Sequence, residues 1–459
     1  MAVWSEVDRA SVSDANRLDP EFFRIDYLLA LEKLQKLGCK KLRSFGVGVV
    51  SGPFGSTLKS HSYLAEGIPF IRILDLKNFF VSNEQLIFIS EEDNNKIRGS
   101  QLKTGDLVIS KVGNSIGLVS ILDEDYPIAN ISENNIGIKF GPAHNEGFKF
   151  FILTYLNSFF GQNEILRRRS GNAQPKLNVA DIYNISVPEI SPAFQEDIKN
   201  IVTDAKLKIK LSKELYLKAS KTLEKELGLD QLVLEKPKSY ETSFSEVVSG
   251  GRIDSDYFQV HFKQQANHLS MIQSKPLREL VDFQKGIEVG SPAYTSSGKL
   301  FVRVSNVKKT GVVTGNSDKY ISETLFKCLE SYQPKIGDIL LTKDGTVGVC
   351  YVVDETVDGI ISGGIMKLSK KDESIPSEYL ALVINSPICQ FQIDRDCSGA
   401  LIVHWKPKDI AALKIPILTE DKMAELSDLV NQSKIAKKES EQLLDQAKRM
   451  VEELIEGAI

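Results

Sequence analysis

Apolar positions along the chain follow two different periods. Short runs rich in β-branched residues, FIRILDL (70–76), LVIS (107–110), FVRVSNV (301–307), DILLT (338–342) and VGVCYVV (347–353), are bounded by Gly, Asn and Asp and predict strands. GFKFFILTYLNSFFGQNEILRR (147–168) and SEYLALVINSPICQFQIDR (377–395) read instead as helical stretches. Strands and helices are mixed without regular alternation, which predicts an α+β fold. A third kind of segment runs from Gln195 to Leu227 with no Gly or Pro. Its residues Val202, Ala205, Ile209, Ser212, Tyr216, Ala219 and Leu223 step by three and four, the mark of one helical seam. From Lys422 to Ile455 the pattern returns, with Val430, Ser433, Lys437, Ser440, Leu444, Ala447 and Val451 in the matching places. Each such helix is about 50 Å long at ~1.5 Å per residue and cannot bury its stripe alone, so the two are expected to pair.

The returning helix belongs to a larger repeat. RLDPEFF (17–23) matches RIDSDYF (252–258), and Leu42 with Leu277 and Gly55-Ser56 with Gly290-Ser291 keep the same spacing of 235 residues. Further on, Arg72 aligns with Arg303, and GDLVISKVGNSIG aligns with GDILLTKDGTVG through Gly105/Gly337, Asp106/Asp338, Lys111/Lys343 and Gly113/Gly345. SGNAQPKLNVADIYNISVP then matches SGALIVHWKPKDIAALKIP through Gly171/Gly399, Asp181/Asp409 and Pro188/Pro416. A unit this long exceeds solenoid repeats of about 20 to 50 residues, so each copy is a whole domain with a helical appendage. The divisions expected are a first domain over 1–190, a helix and linker over 191–235, a second domain over 236–418, and a terminal helix over 419–459.

Composition narrows the function by exclusion. At 459 residues, with 42% hydrophobic and 26% charged residues, the chain suits two or more ordinary globular domains. Its start lacks a secretory n-region and h-region, and no apolar run reaches the ~18 residues of a membrane span, so a cytoplasmic location is expected and no membrane partner. Five cysteines form no CxxC pair and lie at no metal-ligand spacing from the five histidines, so reduced thiols and no metal are expected. No Asn/Asp-Pro-Pro-aromatic loop exists, since none of the 16 prolines precedes another proline, and this excludes adenine methyl transfer by the chain itself. Neither a Pro-Asp dipeptide of a PD-(D/E)xK nuclease nor a GxxxxGK[ST] phosphate loop occurs. Five scattered histidines support no Ser/His/Asp arrangement. The repeat is therefore expected to bind something twice and to catalyse nothing.

In their doubled order, the RLDPEFF-like motif, the GDL/GDI-x-x-x-K-x-G block, the SG…P block and the long helix resemble type I restriction-modification specificity subunits over nearly the whole chain. The resemblance implies two tandem target-recognition domains, each reading one half of a split, asymmetric site in double-stranded DNA. It also implies that the two long helices pair as an antiparallel coiled coil, with Val202, Ala205, Ile209, Tyr216, Ala219, Leu223, Val430, Leu444, Ala447 and Val451 in the seam. Adenine methyltransferase subunits dock on the helices and flanking regions, and a motor-nuclease subunit completes the complex. S-adenosylmethionine, ATP and Mg then belong to the partners, and no cofactor to this chain. Two other readings stay open: a specificity subunit whose partner is one fused methyltransferase-nuclease, and a tandem scaffold that binds no DNA.

For readout of base edges and phosphates, Arg, Lys, Asn and Gln on loops are the candidates. In the first copy these are Arg167, Arg168, Arg169, Asn172, Gln174 and Lys176 in RRRSGNAQPK, with Lys111 and Asn114 on a Gly-bounded turn. The matching positions of the second copy supply Arg395, Ser398, His404, Trp405 and Lys406, with Lys343 and Thr346. Ser56, Thr57 and Lys59, opposite Ser291 and Tyr294, form a further loop, and Arg72 and Arg303 stand inside strand patterns. Against each stands a structural alternative: a basic helix end for the arginine run, a buried indole for Trp405, an ion pair for Arg72 and Arg303. The net charge of −4 gives the chain no general affinity for nucleic acid, so a phosphate clamp must come from local patches or from a partner.

Overall fold

The computed structural model describes residues 5–53, 55, 58, 60–171, 174–315, 318–397 and 403–457. Contacts divide the chain into two units, 1–207 with 439–459, and 208–438. The division falls inside both long helices, so each unit carries a segment of each.

In unit 1, among the described residues, the larger sheet has five strands ordered Gly48–Ser51, Asn135–Lys139, Leu107–Ser110, Val119–Ile121 and Phe79–Phe80. A second sheet runs Ile87–Ile89, Ile68–Ile71, Ile128–Ile131 and Leu102–Lys103, with Ile68–Ile71 parallel to Ile128–Ile131. Helices Glu146–Asn157 and Phe159–Leu166 cover the larger sheet, burying Phe151, Tyr155, Phe160 and Ile165 with Leu107, Ile109 and Ile136. What reads as one helical stretch is two, because Ser158 takes an extended conformation and caps the second helix with its side chain.

Unit 2 repeats this design. Its larger sheet orders Val281–Lys285, Ile365–Lys370, Ile339–Thr342 and Cys350–Val352, and Lys299–Val302 again lies parallel to a later strand, Gly359–Ile361. Helices Ser377–Ile384 and Pro387–Asp396 break at the matching serine, Ser386. In both units a short antiparallel clasp ties the start of the domain to the strand before the long helix, pairing Lys40 with Val187 and Lys275 with Ile415. The strand patterns FIRILDL and FVRVSNV are corrected at one point: the strands end at Ile71 and Val302, and Arg72 and Arg303 each open a 3-10 turn. The reason is the side chain three residues on, since Asp75 and Asn306 accept the backbone N–H groups of Arg72 and Arg303 at 2.8 and 2.9 Å.

The long helices span Pro192–Glu226 and Glu420–Glu456. Within unit 1, Ile198 and Val202 share a core with Ala447, Val451 and Ile455, Leu444 packs at its edge, and Ala205 is buried. Ser440 Oγ donates to the Ala205 carbonyl at 2.7 Å across the seam. Within unit 2, Ala219 and Leu223 pack with Met423, Leu426 and Val430, with Tyr216 against the same cluster. There Ser433 Oγ donates to the Ser212 carbonyl at 2.7 Å, and Lys422 pairs with Glu226 at 3.2 Å, so the helix segments run antiparallel. Ile209 is half-buried. Small residues at the seam let the backbones come close enough for hydroxyl-to-carbonyl bonds, which satisfy hydroxyls that burial would otherwise penalise. No helix among the described residues is long and apolar enough to cross a membrane.

Candidate nucleic-acid interface

At one edge of unit 1 the strand Leu107–Ser110 ends and Lys111 begins a turn, bent at Gly113, whose φ of 76° an L side chain rarely adopts. Three backbone bonds lock this turn between two other loops. Lys111 N–H donates to Asn134 O at 3.0 Å, Leu177 N–H to Lys111 O at 2.9 Å, and Gly113 N–H to Pro175 O at 3.3 Å. Ser170 and Lys176 exchange backbone bonds of 2.9 and 2.8 Å, closing the hairpin that carries the SG…P block.

The same three bonds recur in unit 2 at every matching position. Lys343 N–H donates to Gly364 O, Trp405 N–H to Lys343 O and Gly345 N–H to Val403 O, each at 2.9 Å. Gly345 has φ of 68°. Isolated bridges pair Val112 with Lys176 in unit 1 and Asp344 with His404 in unit 2. A third loop closes each corner where Gly52 and Gly286 pass the carbonyls of Ser132 and Ser362. A Cβ added to either would sit 1.9 and 2.1 Å from the oxygen, so only glycine fits. The sequence motifs thus assemble, in each unit, a corner made of a turn, the segment of the SG…P block paired to it (175–177 and 403–405) and a Gly-bounded loop.

On the unit 1 corner, Asn114, Gln174 and Lys176 are exposed and Lys111 is half-buried, its ammonium donating to Ser51 Oγ at 2.7 Å. Burial pushes the Lys111 amine down from its ordinary value, opposed by the nearby Glu133 carboxylate. Glu133 and Asn134 also line this corner, and composition alone gave no reason to select them. An open cavity of about 270 Å³ adjoins it, with Leu58, Tyr63 and Phe70 below and Arg72, Glu133 and Asn134 around it. In unit 2, Thr346, His404 and Lys406 are exposed on the corresponding corner. Ser291 is exposed in a neighbouring turn, and Tyr294 is half-buried against Phe301, ring centroids 5.6 Å apart. Ser56, Thr57, Lys59, Asn172 and Ser398 lie outside the described residues.

Several candidates face inward and are corrected. Arg167 and Arg168 are each 5% exposed, and both guanidiniums meet the buried Glu164 carboxylate, at 3.2 and 3.1 Å. Arg167 also lies over the Phe22 ring at 4.1 Å. Burial acts to raise the Glu164 pKa, but Arg168 and Arg167 outweigh it and hold the carboxyl below its ordinary value. These arginines lock the helix end rather than present charge to a duplex. Arg169 is half-buried, 3.8 Å from Glu21. Trp405 is buried at 1% exposure and Lys343 at 7%, so the indole and the ammonium are not surface groups. Arg395 is half-buried, bonded to Asp396 at 3.0 Å and stacked over Tyr257. Arg72 forms the ion pair weighed against readout, Nε to Asp75 at 3.1 Å, and also donates to the Gln85 carbonyl. Arg303, matched to it, is half-buried.

The RLDPEFF motif is explained by the same helix ends. Arg17 is forked onto Asp19 and donates to the carbonyls of Arg168 and Arg169, at 2.9 and 3.1 Å, and Arg252 is forked onto Asp254 and donates to the Asp396 carbonyl at 3.0 Å. Terminal carbonyls of a helix have no partner within it, and a guanidinium at that end also complements the dipole. Among the described residues, no group of three or more His, Cys, Asp or Glu side chains could hold a metal ion.

No family model and no curated protein matches this chain. Solved structures do. The type I restriction-modification S subunit from M. genitalium is similar over 92% of this chain and 95% of its own, at 12% identity and a TM-score of 0.41. The HsdS subunit from Thermoanaerobacter tengcongensis is similar over 92% and 97%, at 13% identity and a TM-score of 0.29. A type IIG restriction endonuclease, BpuSI, is similar over 42% of this chain and 30% of its own, at 11% identity and a TM-score of 0.30. With TM-scores this low, the functional assignment rests on the residues of this chain.

Proposed function

We propose that this chain is the non-catalytic DNA-sequence-specificity subunit of a type I restriction-modification complex, its two units reading the two halves of a bipartite, asymmetric site in double-stranded DNA. The observation that carries the proposal is the doubled corner: the same three backbone bonds tie a glycine turn to two neighbouring segments in each unit, while the exposed side chains differ. A repeated frame with different reading groups suits two different half-sites. Asn114, Gln174 and Lys176 in unit 1 and Thr346, His404 and Lys406 in unit 2 are the contact groups proposed, with Lys111 able to reach a phosphate beside them.

The paired long helices and flanking segments dock adenine methyltransferase subunits, and a motor-nuclease subunit joins them. S-adenosylmethionine, ATP and Mg belong to those partners. A net charge of −4 leaves this chain a weak DNA binder alone. The test is a salt titration of duplex binding with and without the methyltransferase. Tight, steeply salt-dependent, site-specific binding is expected only in the complex. Equal specific affinity with and without the partner contradicts the division of labour proposed here, and no binding in either state contradicts the DNA reading.

A further inference from the structure

The two corners share a backbone but not a charge. In unit 1 the bridge sets Val112 across from Lys176, next to Lys111, and the nearby carboxylate is Glu133, which accepts the Gly55 N–H. In unit 2 the bridge sets Asp344 across from His404. One Asp344 oxygen takes the Lys343 ammonium at 2.6 Å, and the other takes His404 Nδ1 at 2.7 Å. Burial opposes ionisation of Asp344, but its bonds to Lys343 and His404 prevail and hold the carboxyl below its ordinary value. A second carboxylate, Glu288, lies against Gly363, where an added Cβ would sit 2.3 Å from its oxygen. Lys111, Lys176 and Glu133 thus leave the unit 1 corner with a cationic excess. Lys343 and Lys406 are matched by Asp344 and Glu288, so the unit 2 corner has no such excess.

We propose that Asp344 is a specificity-determining residue that withholds sequence-blind phosphate attachment from unit 2. Resting on the DNA reading above, the assignment makes unit 1 the phosphate anchor and unit 2 the more discriminating half. Lys343 is turned onto its own neighbour, its side chain 9% exposed, while the His404 side chain is 59% exposed. A neutral imidazole that donates from Nδ1 keeps Nε2 as an acceptor. An acceptor in the major groove matches the amino hydrogens of adenine N6 or cytosine N4 and gains little from a phosphate, so the neutral form of His404 suits an amino-bearing base.

The experiment is a salt titration of the full chain against a random-sequence duplex, starting at low salt. Three variants are compared with the wild type: D344V, which gives unit 2 the residue unit 1 has, D344N, which keeps the shape and removes the charge, and the reciprocal V112D. Both Asp344 variants are expected to bind random duplex more tightly. Their log–log salt slope should steepen by about one per released cation, an extra loss of about threefold between 50 and 200 mM salt. V112D is expected to bind more weakly with a shallower slope. D344N melting as the wild type does, with affinity and slope unchanged, overturns the assignment even where D344V fails to fold. Failure of every chain, wild type included, to bind duplex at low salt overturns the DNA reading, and this assignment with it.

Discussion

In unit 1 the backbone N–H of Ser186 donates at 2.7 Å to Glu164, a buried carboxylate held by Arg167 and Arg168. In unit 2 the matching N–H, of Lys414, donates at 3.0 Å to the side-chain carbonyl of Gln392, whose amide returns a bond of 3.0 Å to the Lys414 carbonyl. Both arrangements fasten the second helix of the domain to the clasp strand before the long helix. The neutral version shows that the fold does not require the ionic one. The difference lies in what happens when each is broken, because removing one member of a buried ion cluster strands the others in a poorly solvating interior.

The largest expected effect follows from that. Glu164→Ala leaves two buried guanidiniums without their carboxylate and is expected to cost ~3–5 kcal/mol of unfolding free energy in urea, whereas Gln392→Ala loses neutral bonds and costs ~1–3 kcal/mol. Equal losses would break the comparison. Acid sharpens it next. The Glu164 carboxyl is held below its ordinary value, so its contribution is complete above the unfolded carboxyl pKa of about 4.3 and is lost as pH falls through the folded value. Protection of the Ser186 amide against hydrogen exchange, relative to the intrinsic rate at each pH, is expected to fall over that window, while the Lys414 amide bound to Gln392 shows no matching step.

Smaller differences attach to the motif arginines. Arg17→Lys gives up a fork onto Asp19 and bonds to two carbonyls, and is expected to lower stability by ~1–2 kcal/mol, against about 1 kcal/mol for Arg252→Lys, which reaches one carbonyl. Thermal melts of the pair rank them. At the bottom of the scale, Ser440→Ala in unit 1 removes one seam bond of 2.7 Å and is expected to cost about 1 kcal/mol, and Ser433→Ala in unit 2 removes a bond of 2.7 Å to the Ser212 carbonyl and one of 3.1 Å to its hydroxyl and is expected to cost about 1–2 kcal/mol. A loss confined to one of the two would show that the seam is not held evenly.

The seam was the most legible part of the sequence, because a stripe stepping by three and four has one geometric solution and Val202, Ala205, Ala447 and Val451 are all fully buried. The repeat made the paired architecture legible too, down to glycines such as Gly113 and Gly345 whose backbone angles recur. Charge was harder to place. Arg167 and Arg168 read as a loop cluster because they precede SGNAQPK, yet they stand three and four residues after Glu164, the spacing at which helical side chains meet. That signal was present and was outweighed by loop composition. Arg72 reads as a strand residue because FIRILDL is a short run rich in apolar residues, while the cue to its turn, Asp75 three residues on, recurs as Asn306 after Arg303. Asp344 and Glu133 could not have been found by seeking cations. Their place comes from tertiary register, which brings residues far apart in the chain to one corner.

The account's central claim is that this chain selects a split DNA site for a methyltransferase. The most direct measurement is to express it with its methyltransferase partner in a host free of methylation and map N6-methyladenine across the genome, with and without this chain. One asymmetric, bipartite motif with an unspecified spacer, lost when the chain is omitted, is the predicted result. Methylation that persists unchanged without the chain, or none at all beside an active methyltransferase, would contradict the account.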